Sequence, residues 1–398
     1  MSTPGSLGDA GARRRRRTRR VSRFLLIVFG ITALAHVPVA LAVTEAARRA
    51  ALPRPALIGI GWALAGFGGF VLRARAGVPD RKRHPLIVWL LDIPFFIHWC
   101  AAVFSLIPSV FAALVLPALE GLRGTPMQLP IAAFMWIYAT GLAVCGYGVL
   151  VRRRWVRVIE LDVPVPGMDR RLDGLRIAHL SDLHIGALTP RAWGLSWARL
   201  ANDRRPDIAV VTGDMVTSGA EFHEDIAHVV GELRAPLGVF ASMGNHDYFG
   251  EGDRLAGDLS ERGVRVLRNE GTVVRRGGAL LWVAAIDDTW TRRDDIASAM
   301  RDRPADALAI LLAHDPERFE QAARAGADVV LSGHTHGGQI AVPFLSRALN
   351  LAFVYQYRVG LYRLGQAVLH VHPGLGTTGP PIRLGVAPEV TLLILRAA

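Results

Sequence analysis

The pattern of apolar and polar positions predicts that the chain begins with membrane helices. Three apolar runs, 24–43, 55–72 and 130–151, contain 20, 18 and 22 residues. A helix needs roughly 20 residues to cross about 30 Å of hydrocarbon. A further run, 85–119, contains 35 residues. We interpret it as an interfacial lead-in followed by a span over 95–119, although two crossings remain an alternative.

After this region the chain alternates between strand-like and helix-like segments. Short apolar runs such as "DIAVVTGD" and "LAILLAHD" end in polar residues, and segments of helical length, such as 189–205 and 224–235, separate several of them. Strands that are buried on both faces of a sheet produce such runs. The sequence therefore predicts a membrane region over 1–152 and an α/β domain over 153–398.

The distribution of charge supports this division and suggests an orientation. The formal charge is +12, of which residues 1–160 contribute +15 and the remainder −3. The main basic clusters precede the first predicted span and follow the second and the fourth. By the positive-inside rule, four spans place both termini in the cytoplasm, as in a multi-pass inner-membrane protein with a cytoplasmic catalytic domain. Because the excess charge belongs to the membrane region, we expect no binding of nucleic acid.

The polar residues that follow the apolar runs of the α/β domain are of the types that bind metals. They are Asp182, His184, Asp214, Asn245, His246, Asp247, His314, His334 and His336. In an open α/β sheet, the loops beyond the carboxyl ends of the strands form the ligand site. Both cysteines, Cys100 and Cys145, lie in apolar runs, so neither a disulfide framework nor a cysteine-based metal site is expected.

The stretch "LSGHTHGGQI", residues 331–340, places two of these histidines one residue apart. If the stretch were still an extended strand at this point, His334 and His336 would point to the same side of the backbone. A second pair of this kind, His370 and His372, has no carboxylates around it in the sequence. We interpret that second pair as part of a structural strand.

Five motifs together resemble those of the calcineurin-like metallophosphoesterase superfamily. They are "SDLHIG", "VTGDMV", "MGNHDYFG", "LLAHDP" and "LSGHTHGGQI", in this order. The resemblance covers about residues 155–398 and implies a four-layer α/β/β/α sandwich. The ending "GLGTTGPPIRLGVAPEVTLLIL" is similar to a bacterial membrane-associated branch of phosphodiesterases, some of which act on UDP-2,3-diacylglucosamine. One departure is "HVHP" before "GLGT", where that branch commonly has a polar or basic pair.

The resemblance implies a centre for two divalent cations, with Mn the first expectation and Fe or Zn the alternatives, because N and O donors are mixed. The implied ligands are Asp182, His184 and His336 for one cation, Asn245, His314 and His334 for the other, and Asp214 as the bridge. It also implies that His246 is the catalytic histidine, which stabilises charge and protonates the leaving oxygen. Asp247 is expected to orient the His246 imidazole.

The sequence favours a membrane-anchored hydrolase of a phosphodiester or pyrophosphate bond. A lipid-linked substrate such as UDP-2,3-diacylglucosamine is one hypothesis, because the apolar stretch 343–357, including Leu349 and Phe353, follows the last motif. The first alternative is a soluble nucleotide or small phosphodiester. The second is a non-catalytic metal-binding membrane sensor, which is disfavoured because all the implied ligands and His246 are present.

Overall fold

A computed structural model of the chain describes residues 6–76, 80–123, 129–341 and 351–398. The chain forms two compact units. The first comprises Met1–Gly77 and Trp89–Tyr147, and the second comprises Val78–Val88 and Gly148–Ala398. The second unit thus includes a short segment from the predicted membrane region.

The N-terminal region is helical. Its helices are α1 (Ser6–Arg49), α2 (Pro55–Ala76), α3 (Pro85–Ile87), α4 (Ile93–Arg123) and α5 (Leu129–Leu150), with a π-helical turn, Val88–Asp92, between α3 and α4. Among the described residues, four helical segments are long and apolar enough to span a membrane: Leu25–Arg49, Pro55–Arg75, Pro85–Leu119 and Ile131–Arg154. The prediction of four such helices is confirmed.

Several polar side chains inside the first unit contact one another. Arg73 Nη2 lies 2.7 Å from Asp92 Oδ1. His36 Nε2 and His98 Nε2 lie 3.2 Å apart, and the other ring nitrogen of His98 lies 2.7 Å from the Tyr138 hydroxyl. Polar groups buried among apolar helices need such partners, so these contacts tie the helices together.

One six-stranded sheet of the second unit carries the first motifs. Its strands are β1 (Arg157–Val165), β2 (Arg176–Leu180), β3 (Ile208–Thr212), β4 (Val239–Ser242), β5 (Arg265–Val266) and β12 (Glu389–Ala397). Their order in the sheet is β1-β12-β2-β3-β4-β5. The strands β2 to β5 run parallel, and β12 is antiparallel to β2.

A second six-stranded sheet carries the remaining motifs. Its strands are β6 (Glu270–Arg276), β7 (Ala279–Ala285), β8 (Leu308–Leu312), β9 (Val329–Ser332), β10 (Gly360–Leu364) and β11 (Ala367–Val371). Their order is β10-β11-β9-β8-β7-β6, and β7, β8, β9 and β11 run parallel.

The two sheets pack face to face between two layers of helices. The helices are α6 (Arg191–Asn202), α7 (His223–Gly231), α8 (Gly252–Ser260), α9 (Ile296–Met300) and α10 (Phe319–Arg324). Along β3, Ile208 and Val210 face the other sheet, whereas Ala209 and Val211 face the helix layer. This double burial explains why the strands are apolar throughout. The predicted four-layer α/β/β/α sandwich is confirmed.

Candidate metal centre

All the predicted site residues follow the carboxyl ends of parallel strands. In the first sheet they come after β2, β3 and β4, and in the second sheet they come after β8 and β9. Five of the seven predicted ligands have a left-handed backbone: Asp182, His184, Asp214, His334 and His336, with φ between 44° and 69°. Residues other than glycine rarely adopt this conformation, and such strain is concentrated at functional sites.

Four of the predicted ligands form one buried cluster, composed of Asp182, His184, Asp214 and His336. His184 Nε2 and His336 Nε2 lie 3.1 Å apart, and His336 Nε2 lies 3.2 Å from Asp182 Oδ1. Two nitrogens that share a tetrahedral cation at about 2.0–2.1 Å would lie about 3.3 Å apart. The spacing of these side chains therefore fits a shared cation.

The second cluster contains Asp214, His314 and His334. His314 Nε2 lies 3.3 Å from Asp214 Oδ2 and 3.2 Å from His334 Nδ1. Asp214 belongs to both clusters, so its carboxylate is in the position of a bridge. The Oδ1 atom of Asn245 is buried and has no hydrogen-bond partner among the described residues, as an oxygen reserved for a cation would.

The strand end at "LSGHTH" differs from the extended geometry considered for it. β9 ends at Ser332, and the left-handed backbone at His334 and His336 turns the chain away from the strand direction. Consequently the two rings diverge, and each histidine joins a different cluster. Gly333 is required immediately before His334, because a Cβ atom at this position would collide with Ser181 Oγ and Asp182 Oδ2.

The electrostatics of the site leave most of its donors able to bind a cation. Burial disfavours ionisation of Asp182 and Asp214, but the neighbouring histidines hold the pKa of both carboxyls below the usual range. Burial lowers the pKa of His184 and His334 and so keeps these rings neutral. Burial acts in the same direction on His314, but Asp214 raises its pKa to about 10. A cation bound at His314 would therefore displace this proton.

His246 lies at the edge of the clusters with its ring held from one side. Its Nδ1 atom lies 2.7 Å from the carbonyl oxygen of Thr217, and its backbone N–H donates to Asp214 Oδ1 at 2.9 Å. The other ring nitrogen, Nε2, lies 3.4 Å from Thr378 Oγ1. The carbonyl of Thr217 fixes the N–H at Nδ1, so Nε2 is the atom available for chemistry.

Asp247 does not orient the His246 ring, contrary to expectation. Its carboxylate accepts hydrogen bonds from the backbone N–H groups of Met215, Val216 and Gly244, at 2.9, 3.2 and 2.8 Å. Asp247 therefore fixes the loops after β3 and β4, while the Thr217 carbonyl orients the imidazole. Burial and the charge of Asp214 raise the pKa of Asp247 to about 7.

Several residues around the centre were not predicted. The Tyr355 hydroxyl lies 3.2 Å from His334 Nε2, and the rings of Trp290 and His334 are 5.8 Å apart. The rings of Phe249 and His246 are 4.7 Å apart. The sequence contains only two hints of their roles. Phe249 lies close to the motif "GNHD", and Tyr355 lies in the apolar stretch 343–357.

The fold and the two clusters define a four-layer α/β/β/α domain with a candidate site for two cations that share Asp214. The family model for calcineurin-like phosphoesterases matches residues 175–338. The chain is 32% identical over 230 residues to an uncharacterized metallophosphoesterase of Aquifex aeolicus, a match that covers 56% of this chain and 85% of that protein. The chain therefore belongs to the calcineurin-like phosphoesterase family.

Other relatives share the domain. A transmembrane protein with metallophosphoesterase domain from Danio rerio is 30% identical over 267 residues, which cover 63% of this chain and 60% of that protein. The uncharacterized metallophosphoesterase YkuE of Bacillus subtilis is 27% identical over 256 residues, with 63% and 90% covered. The match thus spans less than two thirds of the fish protein. Because relatives occur in a fish as well as in bacteria, the narrower bacterial branch stays a prediction.

Proposed function

We propose that this chain is a membrane-anchored phosphoesterase that uses two divalent cations to hydrolyse a phosphodiester or pyrophosphate bond. The observation that carries the proposal is the pair of side-chain clusters that share Asp214. A carboxylate common to two sites suits cations about 3.5–4 Å apart, the spacing of two-metal hydrolases. The sensor alternative has no support from the site, since every donor of both clusters is in place.

The ligands of the first cation would be Asp182, His184 and His336, and those of the second would be Asn245, His314 and His334, with Asp214 shared. Two bound cations supply Lewis-acid activation of water and of the phosphoryl oxygens. The donor set favours Mn, Fe or Zn, and we take Mn as the first choice for reconstitution. Most of the donor side chains are buried, so their positions are fixed by the surrounding protein.

The task of His246 is proton transfer to the leaving oxygen. When the ring is protonated, Nδ1–H donates to the Thr217 carbonyl and Nε2–H points to the open side, next to Thr378 Oγ1. A donor fixed in this way delivers its proton without losing orientation. Asp247 contributes by holding the backbone beside Asp214 and His246.

A lipid-linked substrate is the finer proposal. Leu351, Phe353 and Val354 expose 56%, 66% and 71% of their surface, and they immediately precede Tyr355, which contacts His334. Exposed apolar side chains beside a polar site suit a substrate with an acyl chain next to its phosphate. Leu349 lies outside the described residues. We further propose that the protein lies in the inner membrane with its catalytic domain in the cytoplasm, as the basic clusters indicate.

The test uses the full-length protein in detergent with Mn²⁺ and bis(4-nitrophenyl) phosphate. We expect turnover in the wild type and a loss of at least about 100-fold in His246→Ala, since general acid–base groups contribute about 10²–10⁴-fold. Asp214→Ala should also lose activity, because it removes the carboxylate that both cations would share. Wild-type turnover that both variants retain would contradict the proposal.

The substrate class is tested next with UDP-2,3-diacylglucosamine and a soluble UDP-sugar. Phe353→Ser should impair only the lipid reaction, whereas Val273→Ser, an exposed apolar position on β6, is the matched control. Equal loss on both substrates, or none on the lipid, would favour the soluble-substrate alternative.

A further inference from the structure

The short segment between α2 and α3 is docked on the phosphoesterase domain. The backbone N–H of Asp80 donates to Ser218 Oγ at 2.9 Å, and Asp80 Oδ2 accepts from the backbone N–H of Ala187 at 3.1 Å. The Asp80 carboxylate approaches closely because residue 186 is glycine, where a Cβ atom would collide with it. Residues 78–88 accordingly belong to the same compact unit as the domain.

A second residue of the segment holds the neighbouring turn. The backbone N–H of Lys82 donates to Glu221 Oε2 at 2.7 Å, and Lys82 Nζ lies 3.5 Å from Asp225 Oδ2. Glu221 precedes α7 and Asp225 lies in its first turn. The segment is therefore fixed at two points of the chain that follows β3, and not only by the side chain of Asp80.

The docked loop leads directly to the metal centre. Ser218 follows Thr217, whose carbonyl accepts from His246 Nδ1 at 2.7 Å. The Thr217 hydroxyl donates to the carbonyl of His184, a predicted ligand, at 3.3 Å. Ala187 in turn lies three residues after His184 in the other loop that Asp80 contacts. A single residue, Asp80, thus bridges the two loops that place His246 and His184, through its backbone N–H at Ser218 and its carboxylate at Ala187.

We propose that Asp80 is a positioning residue for the phosphoesterase centre, acting through the loops 184–187 and 217–218. The proposal rests on the hydrolytic function proposed above. The described residues 80–84 lie between α2 and α3 of the predicted membrane region, so part of that region is an integral component of the catalytic domain. A fragment that begins after α5 would lack this component and would hold Thr217 less firmly.

The experiment compares four variants of the full-length protein in detergent with Mn²⁺ and bis(4-nitrophenyl) phosphate. Asp80→Ala should lower kcat by about 10- to 100-fold, the scale expected when a catalytic group is misplaced, with a smaller change in KM. Asp80→Asn keeps an oxygen for the Ala187 N–H and should recover most of the activity. Arg81→Ala, an exposed side chain in the same segment, should leave kcat unchanged.

The fourth variant tests the contact from the other side. Gly186→Ala should mimic Asp80→Ala, because the new methyl group displaces the carboxylate. In an Asp80→Ala background the same substitution should add little further loss. Non-additivity of this kind identifies two residues that act through one contact. Full additivity of the two losses would overturn the proposed route.

Amide hydrogen exchange provides a readout that does not depend on turnover. In Asp80→Ala, the amides of residues 184–187 and 214–218 should exchange faster than in the wild type, and those of β8 should not change. Unchanged exchange in these loops, or an unchanged kcat, would overturn the positioning role. If the wild type hydrolyses nothing, the proposed function fails, while the exchange comparison still decides whether Asp80 orders the loops.

Discussion

Acidification should destabilise the phosphoesterase domain through two buried histidines behind the metal centre. His370 lies on β11 and His372 follows it, and both rings are almost completely buried. His370 Nδ1 lies 2.9 Å from His179 Nδ1, and His372 Nδ1 accepts from the backbone N–H of Gly374 at 2.9 Å. A proton added at His372 Nδ1 would place its N–H group opposite the backbone N–H group of Gly374, and the two donors would repel each other.

The magnitude follows from the pKa values. Burial lowers the pKa of both rings from 6.5 to about 3, with the charge of His370 adding to the effect on His372. The unfolded chain binds protons below pH 6.5, whereas the folded domain stays unprotonated at these rings until about pH 3. With respect to these two rings, the free energy of unfolding is therefore greatest above pH 6.5, and it decreases as the pH falls from 6.5 toward 3. From pH 7 to pH 5 each ring contributes a loss of about 2 kcal/mol, and together about 4 kcal/mol.

The assay is urea unfolding of the full-length chain in detergent at pH 7 and pH 5, followed by tryptophan fluorescence, since Trp197 and Trp282 are buried in the domain. A chelator keeps metal release from contributing. The double variant His370→Asn/His372→Asn should lose about 4 kcal/mol less between the two pH values than the wild type. His228→Asn, at the surface, serves as the control. Equal pH dependence in the wild type and the double variant would refute the reasoning.

Two further predictions concern the donors of the centre. Asn245→Leu should reduce the bound metal from two ions to one, as measured by elemental analysis. In the presence of chelator the substitution should not lower the thermal midpoint, because it removes a buried oxygen that lacks a hydrogen-bond partner. A variant that retained two ions would contradict this prediction. Asp247→Asn would place an amide N–H₂ group opposite backbone N–H donors that now bond to the carboxylate. The free energy of unfolding in urea titrations should therefore fall by about 1–3 kcal/mol. An unchanged value would show that the three hydrogen bonds are replaced.

The layered fold and the location of the centre could be predicted because their signals are local. Strands buried on both faces are apolar throughout, and each ends in a polar residue of a metal-binding type, as at Asp214 and His314. The carboxyl ends of parallel strands meet at one edge, so the side chains converge wherever the intervening helices lie. The extended geometry considered for "LSGHTH" was wrong because the left-handed turns at His334 and His336 leave no trace in residue type.

The supports of the centre could not be predicted because they come from backbone atoms and distant segments. The acceptor for His246 Nδ1 is the carbonyl of Thr217, and any residue at that position supplies a carbonyl. Asp80 is separated from Ser218 by 138 residues and stands in a basic cluster that the positive-inside pattern already explains. A motif indicates which groups do the chemistry, but it does not indicate what holds them.

The backbone strain at the centre indicates that bound cations would contribute to the stability of the folded state. Five left-handed residues cost about 1–3 kcal/mol each, a total comparable to the entire stability of an ordinary domain. The centre also buries two carboxylate–histidine pairs, Asp214 with His314 and Asp182 with His336, away from water. The side chains of these five residues do not belong to the hydrophobic clusters between and outside the sheets. Ligands that bind only the folded state offset such strain by mass action, so cations bound at the two clusters would offset the cost of this geometry.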